Sequence, residues 1–545
     1  MRHLLFLYLV FAPILFVCAE EPEPYAVYDS ILLDEINTYG DYIKYQPGAR
    51  IVNIKAETIE NSNEPALSHL LSRYSPIYIK TDAGGLATIR IRGTAPDHTS
   101  INFGGININS LTLGHSNISS VSMFLFDQIE LQYGSSSSLN GSGAIGGSIY
   151  LDQKNRWTDG FSFEGKTMQG SFGEQLYGTK MAFGNGKFET LTKLYLYKKK
   201  NNFPFKNPYH ENRIEDRTPV DDIQKGAAIE NKGILQQFNY LFTPNEYFKS
   251  WFWFENSWHQ IQPNMQTNLN YKTTETLENN NIRTWLEYRN ENNAIKYNIG
   301  AGYVHDYQVY DSVTTQKIIT DRLVTEASAK YKMNKMEFKL GTKYKYMVPD
   351  VYAYADSSVN NEQYLDIYLS WLYHPAEKLK TAINIRQTLV SEYNTPLTPS
   401  IGADYTLINK SKNQVNLTAN IARSYRVPTF NDRYWGNQGN PSLKPETGIN
   451  IEGGMKFSHT DGNKKTTINM NTYYMNIDNW IEWRYYGVWQ AHNIQRVISK
   501  GMEISAQHIF EFGKTTSEIN INYTWNNIEA TENKTGSGVT NHQLR

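Results

Sequence analysis

Glu518-Ile519-Asn520-Ile521-Asn522-Tyr523-Thr524-Trp525 alternates without a break: Ile519, Ile521, Tyr523 and Trp525 fall on one side, Glu518, Asn520, Asn522 and Thr524 on the other. Successive side chains of an extended strand point to opposite faces, so this octet reads as a strand with one apolar and one wet side. The same pattern recurs upstream. In Ile451 to Ser458, Ile451, Gly453, Met455 and Phe457 oppose Glu452, Gly454, Lys456 and Ser458. In Tyr364 to Tyr373, Leu365, Ile367, Leu369, Trp371 and Tyr373 share a face, with Asp366 and Ser370 opposite. From about Gly160 onward, roughly seventeen such stretches of about ten residues follow one another before another begins at the C-terminus. Their connections alternate in length. Gly184-Asn185-Gly186, Asn290 to Asn293 and Asn334-Lys335 are short, whereas Asn201 to Gln224 and Arg426 to Lys444 are long.

A soluble sandwich also alternates, but its strands are usually five or six residues long and rarely form so long a series. Composition points the same way. The 545 residues include 39 Tyr, 23 Phe and 11 Trp, yet only 40% are apolar and the mean hydropathy is −0.56. Lipid-facing and lumen-facing side chains that alternate along each strand average to such a score. The 53 basic and 54 acidic residues leave a net charge of −1, which sets up no field for nucleic acid. We therefore expect a transmembrane antiparallel β-barrel, of which about 17 to 18 strands are present.

Arg2 and His3 precede an apolar run of 14 residues, Leu4 to Val17, and Ala19 is followed by Glu20-Glu21-Pro22-Glu23. The run is short of the ~20 residues that a spanning helix needs, and it reads as a secretory signal cleaved after Ala19. An alternative stays open: Leu15-Phe16-Val17-Cys18 as a lipobox, with the single cysteine, Cys18, lipidated. Between the signal and the barrel, Pro65 to Tyr74 reads as a helix with Leu67, Leu70 and Leu71 on one side. Short β-like runs follow at Ile77 to Lys80, Thr88 to Arg92 and Gln128 to Gln132. These form a small α+β domain of a size to plug a wide pore. The expected boundaries are a signal peptide at 1–19, an N-terminal segment at 20–39, the plug at 40–152 and the barrel at 153–545.

Gly141-Ser142-Gly143-Ala144-Ile145-Gly146 matches G-x-G-x-x-G, but it leads into the strand-like Ser148-Ile149-Tyr150-Leu151, not a helix. It reads as a tight turn where backbone packs closely, not as a dinucleotide site. No catalytic constellation emerges, and neither an enzymatic activity nor a resident cofactor is expected. The acidic loop carrying Glu211, Glu215, Asp216, Asp221 and Asp222 has the oxygen donors for calcium, but it lacks a Gly-punctuated ligand loop and reads as a solvated charge run.

Several of these residues resemble the TonB-dependent outer-membrane receptors. Leu70-Leu71 through Pro76-Ile77-Tyr78-Ile79, Ile89-Arg90-Ile91-Arg92-Gly93, and Phe126 to Leu131 followed by Tyr133-Gly134 and Gly141 to Gly147 are similar to landmarks of that family's plug. Arg423 to Phe430 and Gly439-Asn440-Pro441-Ser442-Leu443-Lys444-Pro445-Glu446 are similar to its paired barrel motif. Three departures stand out. Tyr133 replaces the usual Arg before Gly134, Gly104-Gly105 replaces an Asp-Gly pair, and the chain stops at Arg545. The resemblance implies a barrel of the 22-stranded type, so the last departure leads us to expect a C-terminal truncation or a gene fragment.

What the resemblance implies is active import of a bulky, scarce nutrient across the outer membrane of a Gram-negative bacterium, driven by the TonB energy-coupling complex. The implied TonB box is Ser30-Ile31-Leu32-Leu33-Asp34-Glu35-Ile36-Asn37, an extended apolar segment able to add as a strand to a partner's sheet edge. Gly104 to His115 is similar to the cobalamin receptors of the family, in the form found in Bacteroidota. Candidate ligand-binding residues are Asn107, Asn109, Ser110 and Thr112 on the plug, with Tyr434, Trp435, Asn437 and Gln438 on the barrel loop. A ferric siderophore is the runner-up. Haem follows, since no histidine lies within Val427 to Leu443. A structural outer-membrane barrel and a secreted β-rich enzyme are the competing classes.

Overall fold

The computed structural model describes residues 43–543 except 55, 83–84, 154–158, 208–219, 263–273, 292–293, 355–360, 486, 513–514 and 535–537. Ser30 to Asn37 and the acidic residues Glu211, Glu215 and Asp216 lie outside the described residues.

The helix expected from Pro65 spans Leu67–Tyr74, with Leu67, Leu70 and Leu71 fully buried. It starts after Pro65 and stops before Pro76, because a residue preceding proline is pushed out of helical geometry. We call it α2, after α1 at Ala56–Asn61. Around them runs a five-stranded sheet in the order β1-β6-β7-β4-β5. Its members are β1 (Ile51–Ile54), β4 (Thr99–Phe103), β5 (Ile106–Asn107), β6 (Gln128–Tyr133) and β7 (Gly147–Asp152); β2 (Tyr78–Thr81) and β3 (Ala87–Arg90) form a separate hairpin. The Gly-rich run leaves the one-turn helix α3 (Ser137–Asn140) and enters β7. A Cβ at Gly147 would stand 2.4 Å from the Gln132 carbonyl oxygen, so close packing explains the glycines.

Among the described residues from Gly160 to Gln543, eighteen strands form one closed antiparallel sheet. Alternation is inverted relative to a soluble protein. In Glu362–Ala376 the apolar Leu365, Ile367 and Leu369 are 36–48% exposed, while Asp366 and Ser370 are at most 1% exposed. Ile519, Ile521, Tyr523 and Trp525 are likewise exposed. An apolar exterior and polar lumen are what a lipid-embedded barrel requires. The last strand, Gly538–Gln543, pairs with Glu529–Lys534.

The plug sits inside and is packed against the wall by aromatic side chains. The Phe103 ring lies 4.4 Å from Trp251 and 5.7 Å from Trp253 between centroids. The β4–β5 turn explains the departure at Gly104-Gly105. Both have positive φ, and a Cβ at Gly104 would fall 2.0 Å from the Trp251 indole nitrogen.

Candidate functional site

Two buried ion clusters hold the plug in register with the wall. In the first, Arg92 donates through Nη1 to Glu452 (2.9 Å) and through Nε and Nη2 to Glu503 (3.2 and 3.1 Å). Arg92 adopts φ of +55°, a left-handed conformation that costs a non-glycine residue ~1–2 kcal/mol and is offset by these ion pairs. The second cation is Arg50, immediately before β1, whose Nη1 donates to Glu503 at 2.8 Å. Its guanidinium stacks 4.5 Å from the Tyr133 ring centroid. Tyr133 thus serves as a platform for an arginine arriving from β1.

The second cluster shows why the two halves of the barrel motif occur together. Arg426 and Glu446 are cross-strand partners, and Arg426 Nε donates to Glu446 at 2.6 Å. Arg426 Nη1 also reaches Asp97 of the plug at 2.7 Å, and His98 Nε2 lies 2.6 Å from Glu446. Thr429 caps the short helix α4 (Phe430–Tyr434), accepting from the Asp432 amide while Asp432 accepts from that of Thr429.

The plug's apical loop is built from its own amides. Asn109 donates to the Thr99 and Gly114 carbonyls, both at 2.8 Å, and accepts from the Ile101 amide. Asn107 donates to Ser100 Oγ at 2.7 Å and accepts from the Asn109 amide at 2.8 Å. Ser110 and Thr112 hydroxyls lie 3.0 Å apart, and Thr112 is buried. The Asn431 amide donates to the Thr112 carbonyl at 3.1 Å, which brings the barrel loop onto the apex. Tyr434 and Trp435 then pack over Tyr354, Asn437 is exposed, and the Gln438 carbonyl accepts from the Ala491 amide.

Two of the chambers beside this apex, among the described residues, carry the cations and amides of the wall. One, about 160 Å³, is lined by Asn107, Asn109 and Ser110 together with Phe430, Arg433 and the wall cations Arg322, Lys343, Lys345 and Arg386. Tyr434, Trp435, Asn437 and Gln438 are not among its lining residues. The other, about 300 Å³, faces Ser110, Thr112, His115 and Asn117 with Ser257, His259, Asn279, Asn281, Gln308 and Thr320, plus an Arg283–Asp306–Glu255 group. Its amides are chained: Gln308 Nε2 donates to Asn279 Oδ1 at 2.7 Å, and Asn279 Nδ2 donates to Ser257 Oγ at 3.2 Å. Burial lowers the His115 pKa, with Asp97 opposing. The wall residues were missed from sequence, although Lys339, Lys343 and Lys345 recur on the polar face of one alternating strand, Met336–Val351.

Of the acidic loop, Asp221 and Asp222 lie in a hairpin, Asp221 paired with Lys206 at 2.7 Å and Asp222 accepting from Asn207 at 3.0 Å. Among the described residues, no group of three or more His, Cys, Asp or Glu side chains is arranged to hold a metal ion.

The family profile described as "TonB dependent receptor-like, beta-barrel" matches residues 197–544, and that described as "TonB-dependent Receptor Plug Domain" matches residues 43–148. The chain belongs to the TonB-dependent receptor family. It is similar to proteins named "Vitamin B12 transporter BtuB" from Photobacterium profundum (24% identity, 84% of this chain and 73% of that one) and from Vibrio vulnificus (23%, 84% and 72%). Among solved structures, it superposes on a ferric enterobactin receptor of Pseudomonas aeruginosa with TM-score 0.70 at 13% identity, covering 91% of this chain and 85% of that one. The FrpB iron transporter of Neisseria meningitidis gives TM-score 0.70 at 15% identity, covering 88% and 80%. TonB-dependent receptors are outer-membrane proteins of Gram-negative bacteria. They are receptors and transporters that take up small molecules in concert with TonB.

Proposed function

We propose that this TonB-dependent receptor imports a corrinoid, cobalamin or a close relative, across the outer membrane, with Ser30 to Asn37 as the segment engaged by TonB. The observation that carries the reading is the chamber in which the apex loop faces a wall of amide and hydroxyl groups from Ser257 to Thr320. A corrinoid is large and rimmed with amides, so a receptor for it presents matching donors and acceptors on a largely preformed surface. The relatives named as vitamin B12 transporters add support, since the similarity runs over 84% of the chain. On this reading Asn107, Ser110, Tyr434, Trp435, Asn437 and Gln438 contact the ligand, while Asn109 and Thr112 hold the loop that presents them.

A second reading, a ferric siderophore, draws on the cations of the smaller chamber, Lys343, Lys345 and Arg386. Direct titration of the detergent-solubilised protein separates the two. Saturable binding of cyanocobalamin, with no response to haemin or a ferric catecholate, is expected. Saturable binding of the ferric catecholate alone would replace the corrinoid and leave the family assignment intact.

A further inference from the structure

We propose that Lys345 and Arg386 form an anion subsite inside the barrel, beneath the apical loop, and that it takes the phosphodiester of a corrinoid's nucleotide loop. The inference rests on the corrinoid reading above and adds to it a charged anchor point. Six cations line the smaller chamber, and four of them face a carboxylate other than Asp366. Lys343 faces Glu326 at 3.2 Å, Arg433 faces Glu362 at 2.5 Å, Arg322 faces Asp306 at 3.2 Å, and Arg426 faces Asp97 and Glu446. Lys345 and Arg386 instead share Asp366, which stands between them on the intervening strand at 3.5 and 3.3 Å. Two cations at this point of the lumen thus share contact with one carboxylate, Asp366.

Hydrogen bonding leads to the same place. Arg386 is fixed to the plug by its other nitrogens, Nε donating to the Ser138 carbonyl at 3.2 Å and Nη2 to that of Leu139. Its Nη1, on a side chain 2% exposed, is the atom that pairs with Asp366 at 3.3 Å, and that contact lacks hydrogen-bond geometry. A buried donor that is paired but not hydrogen-bonded has bonding capacity left, and a guanidinium N–H is suited to a phosphate oxygen. Lys345, by contrast, keeps 20% of its side chain exposed, with its ammonium 4.9 Å from the Tyr364 ring centroid. Arg386 is thus tied to the plug, while Lys345 is the more exposed of the two cations.

Size sets what enters. At about 160 Å³ the chamber admits a phosphate group but not a corrin ring. The macrocycle would remain above, against the apex and its amide wall, while its phosphodiester tail reaches down to Lys345.

Cyanocobalamin carries that phosphodiester, and dicyanocobinamide lacks it. Titrated into the detergent-solubilised full chain, cyanocobalamin should bind about tenfold more tightly than dicyanocobinamide, the increment of one charge-assisted hydrogen bond. Lys345→Met should erase that preference by weakening cyanocobalamin alone, and Lys345→Arg should restore it; heat-modifiable gel mobility confirms that each variant is folded. Equal affinity of the wild type for both corrinoids, or an equal loss of both in Lys345→Met, would overturn the subsite while leaving corrinoid import standing. If neither corrinoid binds and a ferric catecholate does, the corrinoid reading fails. Weakening of the catecholate by Lys345→Met would then retain the anion subsite for that ligand, and no effect would reject it.

Discussion

Replacing Arg50 by Met should loosen β1 without detaching the plug, and the geometry sets by how much. The change removes a charge-assisted hydrogen bond, Nη1 to Glu503 at 2.8 Å (with a long contact from Nη2 to Ser505 Oγ at 3.5 Å), and a guanidinium stacked on Tyr133. The first is worth ~1.5–3 kcal/mol and the second ~0.5–2 kcal/mol in a desolvated site. Glu503 keeps its two bonds from Arg92, so the total stays near ~2–4 kcal/mol. Arg92→Met is harsher, because it strips Glu452 of its one guanidinium and leaves a buried carboxylate uncompensated, which costs ~3–5 kcal/mol. Hydrogen exchange on the β1 amides, which pair with β6 from Ile51↔Gln132 to Ile54↔Ile129, reads these energies as opening constants. Arg50→Met should speed β1 exchange by ~30-fold or more, since each ~1.4 kcal/mol is a factor of ten. Adding Glu503→Gln to Arg50→Met removes the excess negative charge and should recover part of the loss. Wild-type exchange in Arg50→Met would refute the role of Arg50 as second cation of the cluster.

Glu130, on β6 beside β1, has its pKa raised to about 7 by burial, with Asp152 adding to the shift. A carboxyl raised above its unfolded value of about 4.5 favours the folded state at low pH, and that advantage is lost as pH rises toward 7. β1 protection should therefore fall between pH 5 and 8, after correction for intrinsic exchange, and Glu130→Gln should flatten the profile; an unchanged profile in the variant would exclude Glu130 as the source. Gly104→Ala places a Cβ 2.0 Å from the Trp251 indole and forces alanine to φ near +52°. Overpacking at ~1–3 kcal/mol should shift the Trp251 fluorescence and speed exchange at β4 and β5, and a silent substitution would contradict the close approach.

Barrel strands were legible because lipid enforces a strict alternation. Leu365, Ile367 and Leu369 against Asp366 and Ser370 could be sorted from sequence, and only the direction of the two faces awaited the structure. Plug strands were harder. Ser148 to Leu151 reads as a strand, but β4, β5 and β1 do not: they are two to five residues long, and β4 is buried on both faces, so its polar Ser100 and Asn102 do not mark a wet side. The residues of the apex were found through their resemblance to known receptors. That resemblance could not show that Asn109 spends its amide on the Thr99 and Gly114 carbonyls. The chamber cations escaped because Lys345, Asp366 and Arg386 come from three strands, and only the cross-strand register brings them together.

The most direct test of energised corrinoid import follows radiolabelled cyanocobalamin into cells that express this receptor with a compatible TonB complex, comparing wild type with Leu33→Pro. Strand addition by Ser30 to Asn37 needs backbone N–H donors and extended geometry, and proline at Leu33 removes a donor. Wild-type cells should accumulate the label against its gradient and lose that capacity when a protonophore collapses the proton gradient. Leu33→Pro cells should bind the label at the surface to the same extent and accumulate none. Equal accumulation in Leu33→Pro and wild-type cells, or no corrinoid bound by either, would contradict it.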